Sequence, residues 1–310
     1  MKSKKIAKFK KDFIRDWQLY LLIIIASASY IIFKYGPMYG AQIAFRDYRI
    51  AKGIWGSEWV GLKWFKEFLF DPHFGKIFTN TLILSLYSLA TFPLPIIMAL
   101  IFNAMTSKKY KKVAQTISYM PHFISMTVFV GILDLILSPT SGIYGNVYRL
   151  FGGVGYPTDF RDLASAFRHL YVWSGTWQGL GWSTILYTSA LSAVSMELHE
   201  AASIDGASRF KRIIHIDVPT IMPTAAIMLI LRMGNLVSVG FEKAYLMQSQ
   251  LNLKTSELIS TYVYKKGLSD FRRFSYGSAV DLFNTLINVT LMVLTNQLTK
   301  KLTDDEISVF

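Results

Sequence analysis

The chain has 310 residues, 52% of them hydrophobic and 15% aromatic, with only 17% charged, where a soluble domain carries about 25% charge; a fold with its whole surface in water is excluded. The net charge of +13 points to nucleic acid only until the basic residues are placed, because they flank apolar runs as membrane orientation signals do. The absence of cysteine excludes disulfides, thiolate metal ligands and a cysteine nucleophile.

In chain order, residues 1–17 form a basic tail, suited to an anionic inner leaflet. An apolar run follows, giving a first span near 18–38. A cleaved signal peptide is the alternative, but Lys34-Tyr35-Gly36-Pro37 follows the run where a small-x-small site would be required, so the span reads as retained. Residues 34–76 form a first loop rich in aromatics: Trp55, Trp59, Trp64, Phe65, Phe68, Phe70 and Phe74. Two compatible readings stand, an aromatic belt with an interfacial helix or a surface that meets an external partner.

Further apolar stretches lie near 79–102, 113–137, 171–194, 222–240 and 276–298. Each is long enough to cross a bilayer, which needs about 20 residues. Backbone inside a bilayer must satisfy its own hydrogen bonds, so the spans are predicted to be helices, and none shows the alternation of a transmembrane barrel. The expected fold is an all-α membrane bundle of six helices over 18–298, with a C-terminal tail at 299–310.

Orientation follows from Lys and Arg. Segments 1–17, 103–112, 196–221 and 299–310 hold 16 basic residues in 65, against 16 in 109 for the loops 34–76, 139–170 and 241–274. Lys108, Lys109, Lys111 and Lys112 crowd one short loop. The denser set is predicted to be cytoplasmic, which places both termini and the loop 196–223 inside.

That loop is the most informative segment. Glu200-Ala201-Ala202-Ser203-Ile204-Asp205-Gly206-Ala207 is small and polar between two apolar runs. Ala201, Ala202, Gly206 and Ala207 let another surface approach closely. Gly206 suits a turn between two short helices, and Ser208 suits the cap of the second. Phe210, Ile213 and Ile214 form an apolar stripe at helical spacing. Pro219 and Pro223 are expected to end the loop and start the next span. The bland alternative is an amphipathic interfacial helix pair.

The run Glu-Ala-Ala-x-x-Asp-Gly-Ala, followed by Ile216-Asp217-Val218-Pro219, resembles the EAA loop of the inner-membrane permeases of binding-protein-dependent ABC importers. Gly61-Leu62-Lys63-Trp64-Phe65, Asp71-Pro72, Asn80-Thr81-Leu82 and Trp177-Gln178-Gly179-Leu180-Gly181-Trp182 resemble the sugar branch of that family, in its polysaccharide-type, LplB-like form. Val218 stands where Leu is common. The resemblance covers roughly residues 20–300. It implies a type I importer permease in a bacterial cytoplasmic membrane, moving an oligosaccharide or related carbohydrate. It implies a second permease, two ATP-binding subunits that hold ATP and magnesium, and an extracytoplasmic solute-binding protein met by the first loop and by 241–274. On this resemblance Glu200 contacts the ATPase, Ala201, Ala202, Gly206 and Ala207 permit close packing, Asp205 holds the turn and Pro219 closes the motif. A secondary transporter and a membrane scaffold or sensor partner stay open as alternatives.

No phosphate-binding G-x-x-x-x-G-K-[ST] sequence occurs, no G-x-S-x-G elbow, and no metal-ligand spacing; His199 and His215 read as lone surface histidines. The chain is expected to hold no cofactor or metal and to catalyse nothing itself. Polar residues at membrane depth usually face a cavity or another helix. The candidates are Asn80, Asp134, Gln178, Arg232, Asn235, Asp281, Asn284 and Asn288. Trp177 and Gln178 at the fourth span, Arg232 and Asn235 on one face of the fifth, and Glu242 and Tyr245 beyond it are read as a substrate path. Helix–helix hydrogen bonding is the competing reading for each.

Overall fold

The computed structural model describes residues 15–269 and 273–302. Most of the basic N-terminal tail and the last eight residues of the C-terminal tail lie outside them. The chain divides into two compact units, one built from the chain up to Leu69 with Gly267–Leu282, the other from Phe70–Lys266 with the chain from Phe283 on.

The first unit begins with a helical run, Trp17–Phe45, of 29 residues. No residue of its opening stretch, Trp17–Tyr30, is buried, so its apolar side chains face outward all round. A π turn at Ile31–Tyr35 lets the Gly36 amide bond the Ile31 carbonyl, just ahead of Pro37, whose ring cannot enter an ordinary helix interior without a clash. The first loop is not an interfacial helix alone. It contains an antiparallel hairpin, β1 (Arg46–Arg49) and β2 (Gly53–Trp59), in the register Arg46↔Trp59 and Asp47↔Glu58. Gly53 at φ 64 turns the chain between them. A short helix, Lys63–Leu69, buries Trp64 and Phe68. The Trp64 indole donates to the Arg46 carbonyl at 2.8 Å, and the Arg273 guanidinium lies over the Trp64 ring while pairing with Glu67 at 2.6 Å. The aromatic loop is therefore part packed core and part exposed surface: Trp55 and Trp59 stay outside, with Arg46 over both rings.

The second unit is helical. Phe74–Ala90 and Pro93–Ala104 form a span of 31 residues interrupted at Thr91-Phe92. The next predicted span, 113–137, is not straight. It consists of Lys108–Phe123 and Met126–Leu137, bent by 103°. Pro121 sits in the 3-10 turn before the break, and Ser125 restarts the chain by accepting from the Val128 amide, so the ladder is interrupted by a missing donor and reopened by a cap. Ala164–Leu191 has 28 residues, ample to span, but its many Gly, Ser and Thr and its Gln178 dilute its hydropathy. By length and composition, four of the described helices are fit to cross a membrane, or five if the bent pair is one span; Ala164–Leu191 is the long helix outside that count.

The predicted start of a span at Pro219 is replaced by continuity. Arg209–Met233 is one helical run of 25 residues, in which a π turn, Ile213–Asp217, passes the Val218 amide to the Ile213 carbonyl and relaxes the helix before Pro219 and Pro223. The run then stops at Gly234, earlier than the expected 240. Phe274–Leu302 is the final helix.

Two apolar clusters pack the second unit. One joins Leu84, Phe167, Tyr171, Val172, Ala244 and Leu258; the other joins Ala99, Tyr187, Leu191, Ile221 and Ala225. Both draw on Ala164–Leu191, one near its beginning and one near its end. Between them that helix carries Gly175, Gly179 and Ser183, which are too small to close the space.

Candidate functional site

The gap between the clusters is a cavity of about 270 Å³. Its wall along Ala164–Leu191 is made by Tyr171, Gly175, Thr176, Gln178 and Ser183; Ser88 and Thr91 face it from the interrupted span, and Arg232 and Lys243 complete it. Thr91 belongs to the interruption ahead of Pro93, so a break in the helix ladder puts a hydroxyl and loosened backbone at the cavity. Arg232 donates to the Ser88 carbonyl and stands over the Phe92 ring.

Lys243 lies in Phe241–Leu246, a short helix between the last two predicted spans, and is 4% exposed. Its ammonium donates to the Tyr171 carbonyl at 2.7 Å and lies 4.8 Å from the Tyr171 ring centre and 5.3 Å from that of Phe129. Gly175 makes room for it: a Cβ there would lie 2.8 Å from the nitrogen. Burial pushes the ammonium down to about 7, since the low-dielectric surroundings disfavour its charged form. Among the described residues no carboxylate lines the cavity.

Of the residues read as a substrate path, the structure brings Arg232 and Gln178 to this wall. Gln178 also has a structural duty, donating to the Ile124 carbonyl at 3.1 Å, a group left open by the 103° break. Trp177 is 56% exposed and stacks on Phe129, outside the wall. Asn235 does not share a helix face with Arg232, because the helix ends at Met233; its amide bonds the Leu231 carbonyl at 3.1 Å. Glu242 is exposed, and Tyr245 packs against Phe241 and Tyr264. Asn80 and Asn288 follow the helix-tying alternative. Asn80 donates to the Lys254 and Glu257 carbonyls, and Asn288 accepts from the Val237 amide. Lys243 is the cavity residue that sequence reasoning missed. In the sequence it is one more charge of the loop 241–274, and its only signal is its place close after the fifth apolar run.

The loop 196–223 is built as a rigid turn. Ser195 caps Met196–Ile204 by accepting from the Glu197 amide at 3.2 Å. The helix ends with Gly206 at φ 77, the Ala207 amide reaching the Ala202 carbonyl at 2.8 Å and the Gly206 amide reaching Ser203 at 3.1 Å; this is the paired bonding that ends helices through a left-handed glycine. Ser208 then caps Arg209–Arg212. Glu200, Ala201, Asp205, Gly206 and Pro219 are exposed, and Ala202 and Ala207 are half-buried. Phe210 is 70% exposed, so the expected apolar stripe is open to a partner or to lipid. The root of the loop is fixed by Asp217, which is buried and meets His199 Nε2 at 3.1 Å and the Asn103 amide at 3.3 Å. His199 is therefore not a lone surface histidine. Among the described residues no group of three or more His, Cys, Asp or Glu is placed to hold a metal ion.

Membrane-length helices around a cavity of mixed polar and apolar lining, with a rigid small-residue turn at one end, define the build of a membrane permease. The chain belongs to the family of binding-protein-dependent transport system inner membrane components, whose model matches residues 91–304; the match takes in both the loop and the Arg232–Lys243 wall. Among relatives it is similar to Protein LplB of Bacillus subtilis (strain 168), 40% identical over 93% of this chain and 90% of that protein. It is also similar to the polygalacturonan/rhamnogalacturonan transport system permease protein YteP of the same organism, 38% identical over 99% of this chain and 95% of that one. Among solved structures it is similar to a bacterial ABC transporter involved in the import of the acidic polysaccharide alginate, with a TM-score of 0.84 and 34% identity over 96% of this chain and 99% of that one.

Proposed function

We propose that this chain is one of two permease subunits of an ATP-driven importer for an oligosaccharide, coupled to separate ATP-hydrolysing subunits through the loop 196–223. The observation that carries this reading is the loop itself. Its glycine-terminated turn presents Glu200, Ala201, Asp205 and Gly206 outward, while Asp217, His199 and Asn103 root it in the bundle. A surface held this firmly transmits a push from a docked subunit into Arg209–Met233, which runs without interruption from the turn to the cavity residue Arg232. Small residues let a partner helix approach the backbone, and Glu200 offers it a charge.

In this reading six helices cross the membrane, Ala164–Leu191 being the sixth. Its polarity suits a helix that faces a pathway and its neighbours rather than lipid. Both termini and the loop are cytoplasmic, as the density of Lys and Arg suggests. ATP and magnesium belong to the partner subunits, and a solute-binding protein delivers the sugar from outside. The carbohydrate class is supported by the names of the similar permease and transporter, and by a cavity lined with hydroxyls, an amide and a tyrosine.

Co-purification from membranes tests the reading. Wild type is expected to bring down an ATP-binding subunit, which Glu200→Lys and Gly206→Trp lose while remaining inserted. A wild type that never carries an ATPase would overturn it.

A further inference from the structure

Arg232 and Lys243 reach the same cavity from different segments, and among the described residues neither meets a carboxylate there. Each gives one bond to a backbone carbonyl, Ser88 for Arg232 and Tyr171 for Lys243. Guanidinium has five N–H donors and ammonium three, so donors remain on both. Positive groups taken out of water are normally paired. Lys243 is buried and Arg232 half-buried; the two beside an unfilled space, with no acid among the described residues of its wall, form a site that a ligand's negative charge would complete. Of the remaining lining, Ser88, Thr91, Thr176 and Ser183 bring hydroxyls, Gln178 an amide and Tyr171 a ring, the groups that read a sugar, beside the apolar Pro95, Met126, Val172 and Leu180. At about 270 Å³ the space falls just below the roughly 300–1,000 Å³ of sites for drug-sized ligands, and holds one sugar ring at a time.

We infer that this cavity binds a carboxylated sugar ring, a uronate, with Arg232 and Lys243 on its carboxylate. The inference rests on the importer reading and narrows its substrate to acidic saccharides. Arg232 offers the planar, paired donors that fit a carboxylate, and Lys243 a compact charge. A bound anion also keeps the buried ammonium protonated, because a nearby opposite charge favours the charged form. Gly175 is a positioning residue, since a methyl group there would displace the ammonium.

The test is equilibrium dialysis of the co-purified permease–ATPase complex, without its solute-binding protein, so that selection belongs to the membrane subunits. The probes are a mixture of galacturonate, mannuronate and guluronate trisaccharides and the same mixture with its carboxyl groups reduced to alcohols. The acidic mixture is expected to bind at least tenfold more tightly than the reduced one. Lys243→Met and Arg232→Met should each weaken acidic binding by about 10–100-fold, the value of a hydrogen bond to a charged group, so that the preference over the reduced mixture falls. Lys243→Arg should restore most of the loss. Equal binding of the two mixtures, binding of neither, or Met variants that hold the acidic mixture like wild type would overturn the inference. The wild-type comparison stands even if a variant fails to assemble. ATP-dependent uptake of any saccharide by the complete importer is measured in parallel; if it persists while the acid preference is absent, the importer reading stands and this inference alone fails.

Discussion

His199 Nε2 lies 3.1 Å from Asp217 Oδ1, closing an eighteen-residue loop at its root. Asp217 is 3% exposed and also receives the Asn103 amide at 3.3 Å. One buried carboxylate thus ties three segments: the end of Pro93–Ala104, the helix Met196–Ile204 and the π turn that leads into Val218–Met233. The Arg212 guanidinium adds a bond to the His199 carbonyl at 3.3 Å. If this knot transmits force from a docked ATPase, Asp217→Ala should uncouple before it unfolds. The variant leaves buried donors unpaired, at a cost of about 1–3 kcal/mol. The expected outcome is an assembled complex with a lower thermal midpoint, whose ATP hydrolysis no longer rises with substrate. Substrate-stimulated hydrolysis equal to wild type would assign the knot to stability alone.

Gly206 offers a cleaner perturbation of the same loop. At φ 77 it occupies the left-handed region, and a Cβ there would meet nothing within 4 Å. The penalty for a side chain is therefore backbone strain, about 1–2 kcal/mol for an ordinary residue and less for Asn. The predicted order of retained ATPase co-purification is Gly, then Asn, then Ala, then Val. Trp, which adds bulk at the proposed interface, should fall below them all. If Asn and Val behave alike, the left-handed turn is not what the partner requires.

The parts legible in the sequence were those fixed by local pattern. Apolar runs gave the helices, Gly206 and Ser208 gave the turn and its cap, and Arg232 and Gln178 were marked by polarity at depth. What escaped depends on contacts distant in sequence. The 103° bend hides in an apolar run because Met120-Pro121-His122-Phe123 costs little hydropathy. The hairpin at Arg46–Trp59 was obscured by Gly53 and Gly56, which break its alternation. Lys243 looked like an orientation charge because hydropathy cannot see that Gly175, Tyr171 and Phe129 enclose it. Asn235 was put on a helix face by extending a helix that ends at Gly234.

Asp71 yields a pH prediction. Burial would raise its pKa, but hydrogen bonds from Lys266 at 2.8 Å, from the Tyr262 hydroxyl, and from the His73 amide at 2.8 Å overcome that and hold its carboxyl well below the usual carboxylate range. The folded pKa lies below the unfolded value of about 3.9. Its stabilisation is therefore fully present above that value and is lost as pH falls through the folded pKa. Thermal midpoints in detergent should be insensitive to Asp71 ionisation from pH 5 to 7 and fall below pH 4. Asp71→Asn should start lower, by about 1–3 kcal/mol of lost charged hydrogen bonding, and show a flatter acid limb. Parallel acid limbs in the two proteins would exclude Asp71 as the titrating group.

Gly181 tests the packing that positions the cavity. It lies in Ala164–Leu191, where a Cβ would approach the Ser118 carbonyl oxygen to 2.1 Å, far inside contact distance and against backbone that cannot swing aside. Gly179, two residues earlier, has nothing within 4 Å and serves as the control. Small residues let membrane helices approach closely and gain dispersion and polar contacts that lipid cannot replace. Gly181→Ala must therefore separate Ala164–Leu191 from Lys108–Tyr119, at a cost of about 1–3 kcal/mol for overpacking, although alanine is the better helix former by about 1 kcal/mol. Gly179→Ala keeps the helix-forming gain without the clash. The expected result is a lower thermal midpoint for Gly181→Ala and an unchanged or higher one for Gly179→Ala. Because the cavity-lining Gln178 and Ser183 lie on either side of Gly181 in this helix, Gly181→Ala should also weaken saccharide binding. Equal midpoints for the two variants would show that the helices tolerate separation and that the wall is not set by this contact.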